Sequence, residues 1–224
     1  VVPRPPALCA GCPHRGLFYE LGKRKNVMVT GDIGCYTLGF APPYNGLDTT
    51  VCMGSAFSTA HGAAKAFEAM GEDKRVVGIL GDSTFFHTGI NGLTEALYNN
   101  SKTVNIILDN RITGMTGHQE NPGSGKHAGG DPANIIDIEE VCRALGAENI
   151  RTINPNDLKQ VKEALDWALG LDEPSVIITK WPCVLKKFSD KDKSDFPTAF
   201  TTKDVVDWEK CIDSFYKVFG FDYS

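Results

Sequence analysis

Four short runs rich in β-branched residues, at 27–30, 76–80, 104–108 and 175–179, alternate with longer segments of helical character, and that order leaves few folds open. The runs are almost wholly apolar instead of alternating polar and apolar, as strands covered on both faces must be. Strand and helix in alternation predict an α/β fold, a doubly wound and mostly parallel sheet with helices on both faces. Helices are predicted at 16–25, 56–70, 89–98 and 133–145, with one more after Asn154-Pro155, an N-cap and first-turn proline pair. Ala60, Ala63, Ala64 and Phe67 share related faces of the second helix, Ile135, Ile138, Val141, Cys142 and Leu145 one face of the fourth, and Leu158, Val161, Leu165 and Ala168 one face of the last. Residues 111–131 hold six glycines and no period, so they form a long loop, and long loops in compact domains carry function or are disordered.

With 224 residues, 42% of them hydrophobic, the chain can bury one substantial core. The prolines of 1–8 mark a linker, 9–187 the domain, and 188–224 an extension that is first charged and then aromatic; no internal repeat is visible. A net charge of -5 with scattered lysines and arginines gives no footprint for nucleic acid. No apolar run approaches a membrane span and the start lacks a signal-peptide pattern, so the expectation is a soluble, cytoplasmic protein. Seven cysteines, an odd number, fit metal or redox chemistry better than a disulfide framework.

In a parallel α/β sheet ligands bind beyond the carboxyl ends of the strands, where Gly81-Asp82-Ser83 and Asp109-Asn110 both lie. Asp82 as an anionic ligand, the Asn110 amide oxygen and the Ile112 carbonyl make an oxygen set suited to Mg²⁺, which completes its octahedron with phosphate oxygens and water. Gly81 lets a phosphate approach the backbone, and the helix N-terminus after Ser83 offers N–H groups to a diphosphate. A lone Gly-Asp after a strand is often only a turn and cap. Two such clusters favour the site.

Gly-Asp-Ser followed, after 25 residues, by Asp109-Asn110 resembles the thiamine diphosphate motif, with Ser83 in place of the commoner third glycine. The longer stretches Gly81-Asp82-Ser83-Thr84-Phe85-Phe86-His87-Thr88-Gly89 and Thr113-Gly114-Met115-Thr116-Gly117-His118-Gln119 resemble the thiamine-binding domain of the indolepyruvate:ferredoxin oxidoreductases, over roughly residues 7–187. The resemblance implies that Thr113, Gly114, Thr116 and Gly117 contact the diphosphate or substrate. It also places Cys52, Met53, Gly54 and Ser55 against the thiamine rings, with Met53 as the wedge that bends the cofactor. From the residues alone, Met53 reads equally well as a core methionine.

Cys9-Ala10-Gly11-Cys12 is a C-x-x-C knuckle, which alone serves zinc, disulfide exchange or iron-sulfur clusters. Cys35, in a glycine-rich turn after the first strand, and Cys183, after Trp181-Pro182, both fall at strand carboxyl ends. Cys9, Cys12, Cys35 and Cys183 resemble, one by one, the ligands of the 4Fe-4S cluster in 2-oxoacid:ferredoxin oxidoreductases; four thiolates also suit structural zinc. Cys142 reads as core. Cys211 resembles the opening of a ferredoxin-like segment whose later cysteines are absent, so a second cluster cannot be built from this chain.

The five histidines show no paired metal spacing, but His87 and His118 are candidates for acid, base or carbonyl-polarising work near neutral pH, each against a solvated or capping role. The resemblance implies oxidative decarboxylation of a 2-oxoacid, aryl pyruvates favoured, with coenzyme A taking the acyl group and ferredoxin the electrons. It also implies a pyrimidine-binding domain or subunit that supplies the activating glutamate, hence a dimer or hetero-oligomer. The alternatives are a non-oxidative thiamine decarboxylase or carboligase, and a non-catalytic zinc-stabilised scaffold.

Overall fold

The computed structural model describes residues 5–197. Cys211, the first four residues and all of the chain beyond 197 lie outside them, so the reading of Cys211 and of most of the 188–224 extension does too. In chain order the elements are α1 (Arg15–Leu21), β1 (Val27–Gly31), a 3₁₀ segment (Cys35–Phe40), β2 (Thr49–Thr50), α2 (Ala56–Met70), β3 (Arg75–Gly81) and α3 (Asp82–Thr84). A π-helical segment (Phe85–Gly89) leads into α4 (Ile90–Tyr98), followed by β4 (Thr103–Asp109), α5 (Ile138–Ala144), β5 (Ile150–Ile153), α6 (Leu158–Leu169), β6 (Ser175–Lys180) and α7 (Asp190–Asp195). Among the described residues the six strands form one sheet in the order β2-β1-β3-β4-β6-β5, every pair parallel.

Two apolar layers sandwich that sheet. Leu17, Phe18 and Leu21 of α1 and Val161, Leu165 and Ala168 of α6 cover one face. Ala56 and Phe57 of α2, Phe85, Leu93 of α4, and Ile138 and Cys142 of α5 cover the other. Burying a large aliphatic or aromatic side chain contributes about 1.5–3 kcal/mol, so a sheet whose central strands are buried on both sides is the main source of stability. Cys142 is a core residue, as its apolar face predicts.

The four strands predicted from β-branched runs are the four central ones, and the register sets their ends level, with Gly81 opposite Leu108 and Asp109 opposite Lys180. The two edge strands β2 and β5 are short and partly polar, which is why periodicity does not reveal them. The fourth helix begins at Ile138 and not near 133, because the Asp137 carboxylate caps it by accepting from the N–H groups of Glu139 and Glu140. Ile135, expected on its buried face, lies in the preceding loop and is exposed. Likewise α6 is capped by Asp157 instead of Asn154, and Leu158 is half exposed. Leu8 is buried in the core beside α1, so the presumed linker docks at its last residue. Beyond β6, Trp181 packs edge-on against Phe196 at 5.3 Å, which returns the start of the extension to the domain.

Candidate cofactor and cysteine site

Because β1, β3, β4 and β6 end level, the residues just after them meet at one rim. A cleft of about 130 Å³ opens there, lined by Gly34, Cys35 and Met53, by Gly81 to Thr84, and by Asn110 and Ile112 to Thr116. Among the residues expected at a thiamine site, Met53, Gly81, Asp82, Ser83, Asn110, Ile112, Thr113, Gly114 and Thr116 line it, whereas Cys52, Gly54, Ser55 and Gly117 do not. The floor is set by close packing. A Cβ on Gly81 would come within 2.8 Å of the Tyr36 ring, so a larger residue there would displace the tyrosine that backs the turn. The Tyr36 hydroxyl lies 3.2 Å from the Ile33 carbonyl, to which it donates, and 3.4 Å from the Thr84 hydroxyl.

The oxygen donors stand at the centre. Asp82 and Asp109 are both buried, and each carboxyl is pushed above the ordinary range, Asp82 by burial and then by the neighbouring Asp109, to about 8. Two desolvated carboxyls at hand suit a divalent cation, whose charge would remove the cost of ionising them. Asp82 Oδ1 accepts from Ser83 N–H at 2.8 Å, and Oδ2 accepts from the Asn121 amide at 3.0 Å. After β4 the chain is held in an Asx turn: Arg111 N–H donates to Asp109 Oδ1 at 3.1 Å and Ile112 N–H to Asn110 Oδ1 at 3.2 Å. Arg111 itself sits at φ 63°, a left-handed conformation uncommon for a side-chain-bearing residue.

A third carboxylate, Asp32 in the glycine-rich turn after β1, organises the other wall, and no local sequence pattern marks it. Asp32 is fully buried after β1; its Oδ2 accepts from Gly54 N–H at 2.7 Å and its Oδ1 from Ile33 N–H. Gly54, at φ 90°, leaves no room for a Cβ, which would lie 1.9 Å from the Thr88 hydroxyl. So Asp32 and the π-helical segment together hold the Cys52 to Ser55 turn that presents Met53, 53% exposed, at the cleft. A π-helical turn of this kind is a frequent mark of functional sites. It also carries His87, which faces a different and larger cavity beside Asn121, Lys126 and His127; neither His87 nor His118 lines the cleft.

The four cysteines share the neighbouring corner. Burial pushes the Cys12 thiol up to about 12, with Cys183, Cys9 and Cys35 close enough to raise it further, and Cys35 is raised by burial, Cys183 and Cys9. Cys12 N–H closes the knuckle on the Cys9 carbonyl at 3.1 Å. Cys35 lines the cleft, Cys183 N–H donates to the Asn110 carbonyl at 2.9 Å, and Cys183 Sγ lies 3.9 Å from where a Cβ on Gly114 would stand. As they stand, no three His, Cys, Asp or Glu side chains among the described residues are drawn together tightly enough to hold a metal ion. As a donor set the four thiols fit an iron-sulfur cluster or zinc, and the raised thiols of Cys12 and Cys35 ionise only when a bound cation compensates.

The sequence matches the family described as thiamine pyrophosphate enzyme, C-terminal TPP binding domain, over residues 32–179. It is 42% identical over 196 residues to the indolepyruvate oxidoreductase subunit IorA of Pyrococcus horikoshii, covering 83% of this chain and 30% of that protein. Against the IorA subunit of Methanothermobacter thermautotrophicus identity is 40% over 216 residues, covering 93% and 33%. The chain thus spans about a third of the length of these relatives. Among solved structures, the 2-oxoglutarate:ferredoxin oxidoreductase of Magnetococcus marinus superposes with a TM-score of 0.72 at 21% identity, covering 86% of this chain and 70% of that one. Benzoylformate decarboxylase from Polynucleobacter necessarius gives 0.59 at 18%, covering 84% and 35%, a likeness of fold. On the match over residues 32–179, across the rim where Asp82 and Asn110 converge, this chain belongs to the thiamine pyrophosphate enzymes as a TPP-binding domain.

Proposed function

We propose that the chain is the thiamine diphosphate and Mg²⁺-binding part of a 2-oxoacid:ferredoxin oxidoreductase acting on an aryl pyruvate such as indolepyruvate. The reading rests on one observation above others: the cysteine corner abuts the cofactor cleft, through Cys35 in its lining and Cys183 against Gly114 and Asn110. Non-oxidative thiamine chemistry passes no electrons to an acceptor and so does not require four thiols beside the cofactor. The IorA relatives support the substrate class.

Thiamine diphosphate supplies the electron sink for decarboxylation of a 2-oxoacid. This chain's residues supply position. Asp82, Asn110 and the Ile112 carbonyl would hold Mg²⁺, and the N–H groups at the start of the helical stretch at Asp82 would face the diphosphate. Met53, braced through Gly54 by Asp32, would wedge the rings. Cys9, Cys12, Cys35 and Cys183 would ligate a 4Fe-4S cluster that carries electrons toward ferredoxin. The lining of the cleft keeps Ile33, Met53 and Met115 exposed, an apolar surface that suits a pyrimidine-binding domain or subunit contributing the activating glutamate.

The test is anaerobic purification of the chain with iron, zinc and sulfide analysis, together with calorimetric titration of thiamine diphosphate and Mg²⁺ into wild type and Asp82→Ala. Four iron and four sulfide per chain, and cofactor binding lost in the variant, support the reading. Zinc without sulfide replaces the electron-transfer role by a structural one. Equal binding by Asp82→Ala removes the metal-site assignment, and turnover by this chain alone removes the need for a partner's glutamate.

A further inference from the structure

Asn121 belongs to no motif, yet it is the one side chain of the long loop that reaches the carboxylate of Asp82. It is buried, and its amide orientation is fixed by its own surroundings: Oδ1 accepts from Gly123 N–H at 2.9 Å, so Nδ2 is the atom that points to Asp82 Oδ2 at 3.0 Å. With Ser83 N–H on Oδ1, both oxygens of Asp82 are clamped, and each keeps a lone pair. Behind Asn121 the loop is braced. Ser124 N–H donates to the Asn121 carbonyl at 2.9 Å, the Ser124 hydroxyl donates to the same carbonyl at 2.8 Å, and Ile136 N–H donates to the Pro122 carbonyl at 2.9 Å. The start of the 28-residue stretch between β4 and α5, residues 110–137, lines the cleft directly, and the Asn121 amide ties its distal part to the Asp82 carboxylate.

We infer that Asn121 is a positioning residue for the metal: its amide sets the Asp82 carboxylate so that a defined oxygen edge faces Mg²⁺, and the same bond couples metal occupancy to the order of the loop. The inference rests on the reading of Asp82 as a metal ligand. Ligating carboxylates are commonly held by such partners, and their removal costs about 10–100-fold in metal affinity. Coupling between two events is reciprocal, so whatever the loop contributes to metal binding, the metal returns to the loop. The donor also meets a carboxyl that shares its burial with Asp109, where an N–H lessens the repulsion between the pair.

The experiment compares wild type, Asn121→Ala, Ser124→Ala and Asp82→Ala as the purified chain. Mn²⁺ affinity is read by electron paramagnetic resonance, Mg²⁺ dependence of thiamine diphosphate binding by calorimetry, and cleavage of the loop by limited proteolysis with and without Mg²⁺ and cofactor. Asn121→Ala is expected to weaken Mn²⁺ and Mg²⁺ about 10–100-fold and to lose cofactor protection of the loop. Ser124→Ala, which removes a brace but keeps the amide donor, is expected to make the loop easier to cut while metal affinity stays within about twofold. Asn121→Ser, which keeps a polar group without the reach, takes the place of the alanine variant if that one does not fold. Unchanged metal affinity in Asn121→Ala while Asp82→Ala loses it overturns the inference and leaves the Asp82 reading intact. Equal losses in Asn121→Ala and Ser124→Ala overturn it too, since the effect then belongs to loop packing. Equal metal affinity in wild type and Asp82→Ala removes the reading beneath it.

Discussion

Asp32→Asn isolates the brace that holds Met53 at the cleft. The carboxylate receives two backbone N–H groups on two different oxygens, Ile33 on Oδ1 and Gly54 on Oδ2. An amide has one oxygen, so one of those donors must face an NH₂ group. A hydrogen bond to a charged group contributes about 1.5–3 kcal/mol. The loss is tempered because burial already raises the Asp32 pKa, which means that the charged form is held at some cost. The net expectation is a loss of about 2 kcal/mol, and because Ile33 can keep the remaining oxygen, it falls on the Cys52 to Ser55 turn. Where that turn must be ordered to receive the cofactor, 2 kcal/mol corresponds to about 30-fold weaker thiamine diphosphate binding. Calorimetric titration at saturating Mg²⁺ measures the affinity, and urea unfolding of the unliganded chain measures the stability. Cofactor affinity within about twofold of wild type, with stability changed by less than about 0.5 kcal/mol, refutes the idea that this carboxylate organises the turn.

Other expectations follow from the same rim. With its carboxyl raised to about 8 by burial and by Asp109, unliganded Asp82 is largely protonated near neutral pH, so Mg²⁺ binding should release protons and tighten as pH rises toward 8; calorimetry in buffers of differing ionisation enthalpy measures this. Since the folded chain then binds more protons than the unfolded one, its unliganded stability should fall between about pH 4 and 8, and Asp82→Asn should flatten that slope in unfolding titrations. Gly54→Ala meets both a left-handed backbone and the Thr88 hydroxyl, and should destabilise by more than about 1–2 kcal/mol in chemical unfolding while weakening cofactor binding. Cys183→Ser, like Cys12→Ser, should leave the chain folded by circular dichroism yet lower iron and sulfide content after anaerobic preparation; full retention of both would exclude these thiols as ligands.

The part of the molecule legible in the sequence was the part under the strongest packing constraint. Central strands buried on both faces have to be apolar and β-branched, so β1, β3, β4 and β6 could be read directly, and with them the level at which Asp82, Asn110 and Cys183 emerge. Edge strands carry no such demand, and β5, with Arg151 and Thr152 exposed, leaves no apolar run to read. Helix starts were misplaced where an Asx cap stood later than the first plausible one, at Asp137 and Asp157. Asp32 and Asn121 escaped for a different reason. Each acts through a backbone or side-chain partner 22 or 39 positions away, and no local pattern records such a pairing. The histidines illustrate the converse: His87 follows the Gly-Asp-Ser turn closely in sequence, yet the π-helical turn carries it round to the other cavity.

The cysteine corner draws on the whole length of the domain. Two of its thiols precede α1, one follows β1, and the last arrives only after β6, 171 residues beyond Cys12. Contacts that close so large a loop form late, because the chain entropy of closing it is recovered only when the intervening sheet is in place. The corner is therefore a report on completed folding. A chain still being synthesised, or one cut anywhere before residue 183, holds at most three of the four thiols, so only a finished domain can present the full set.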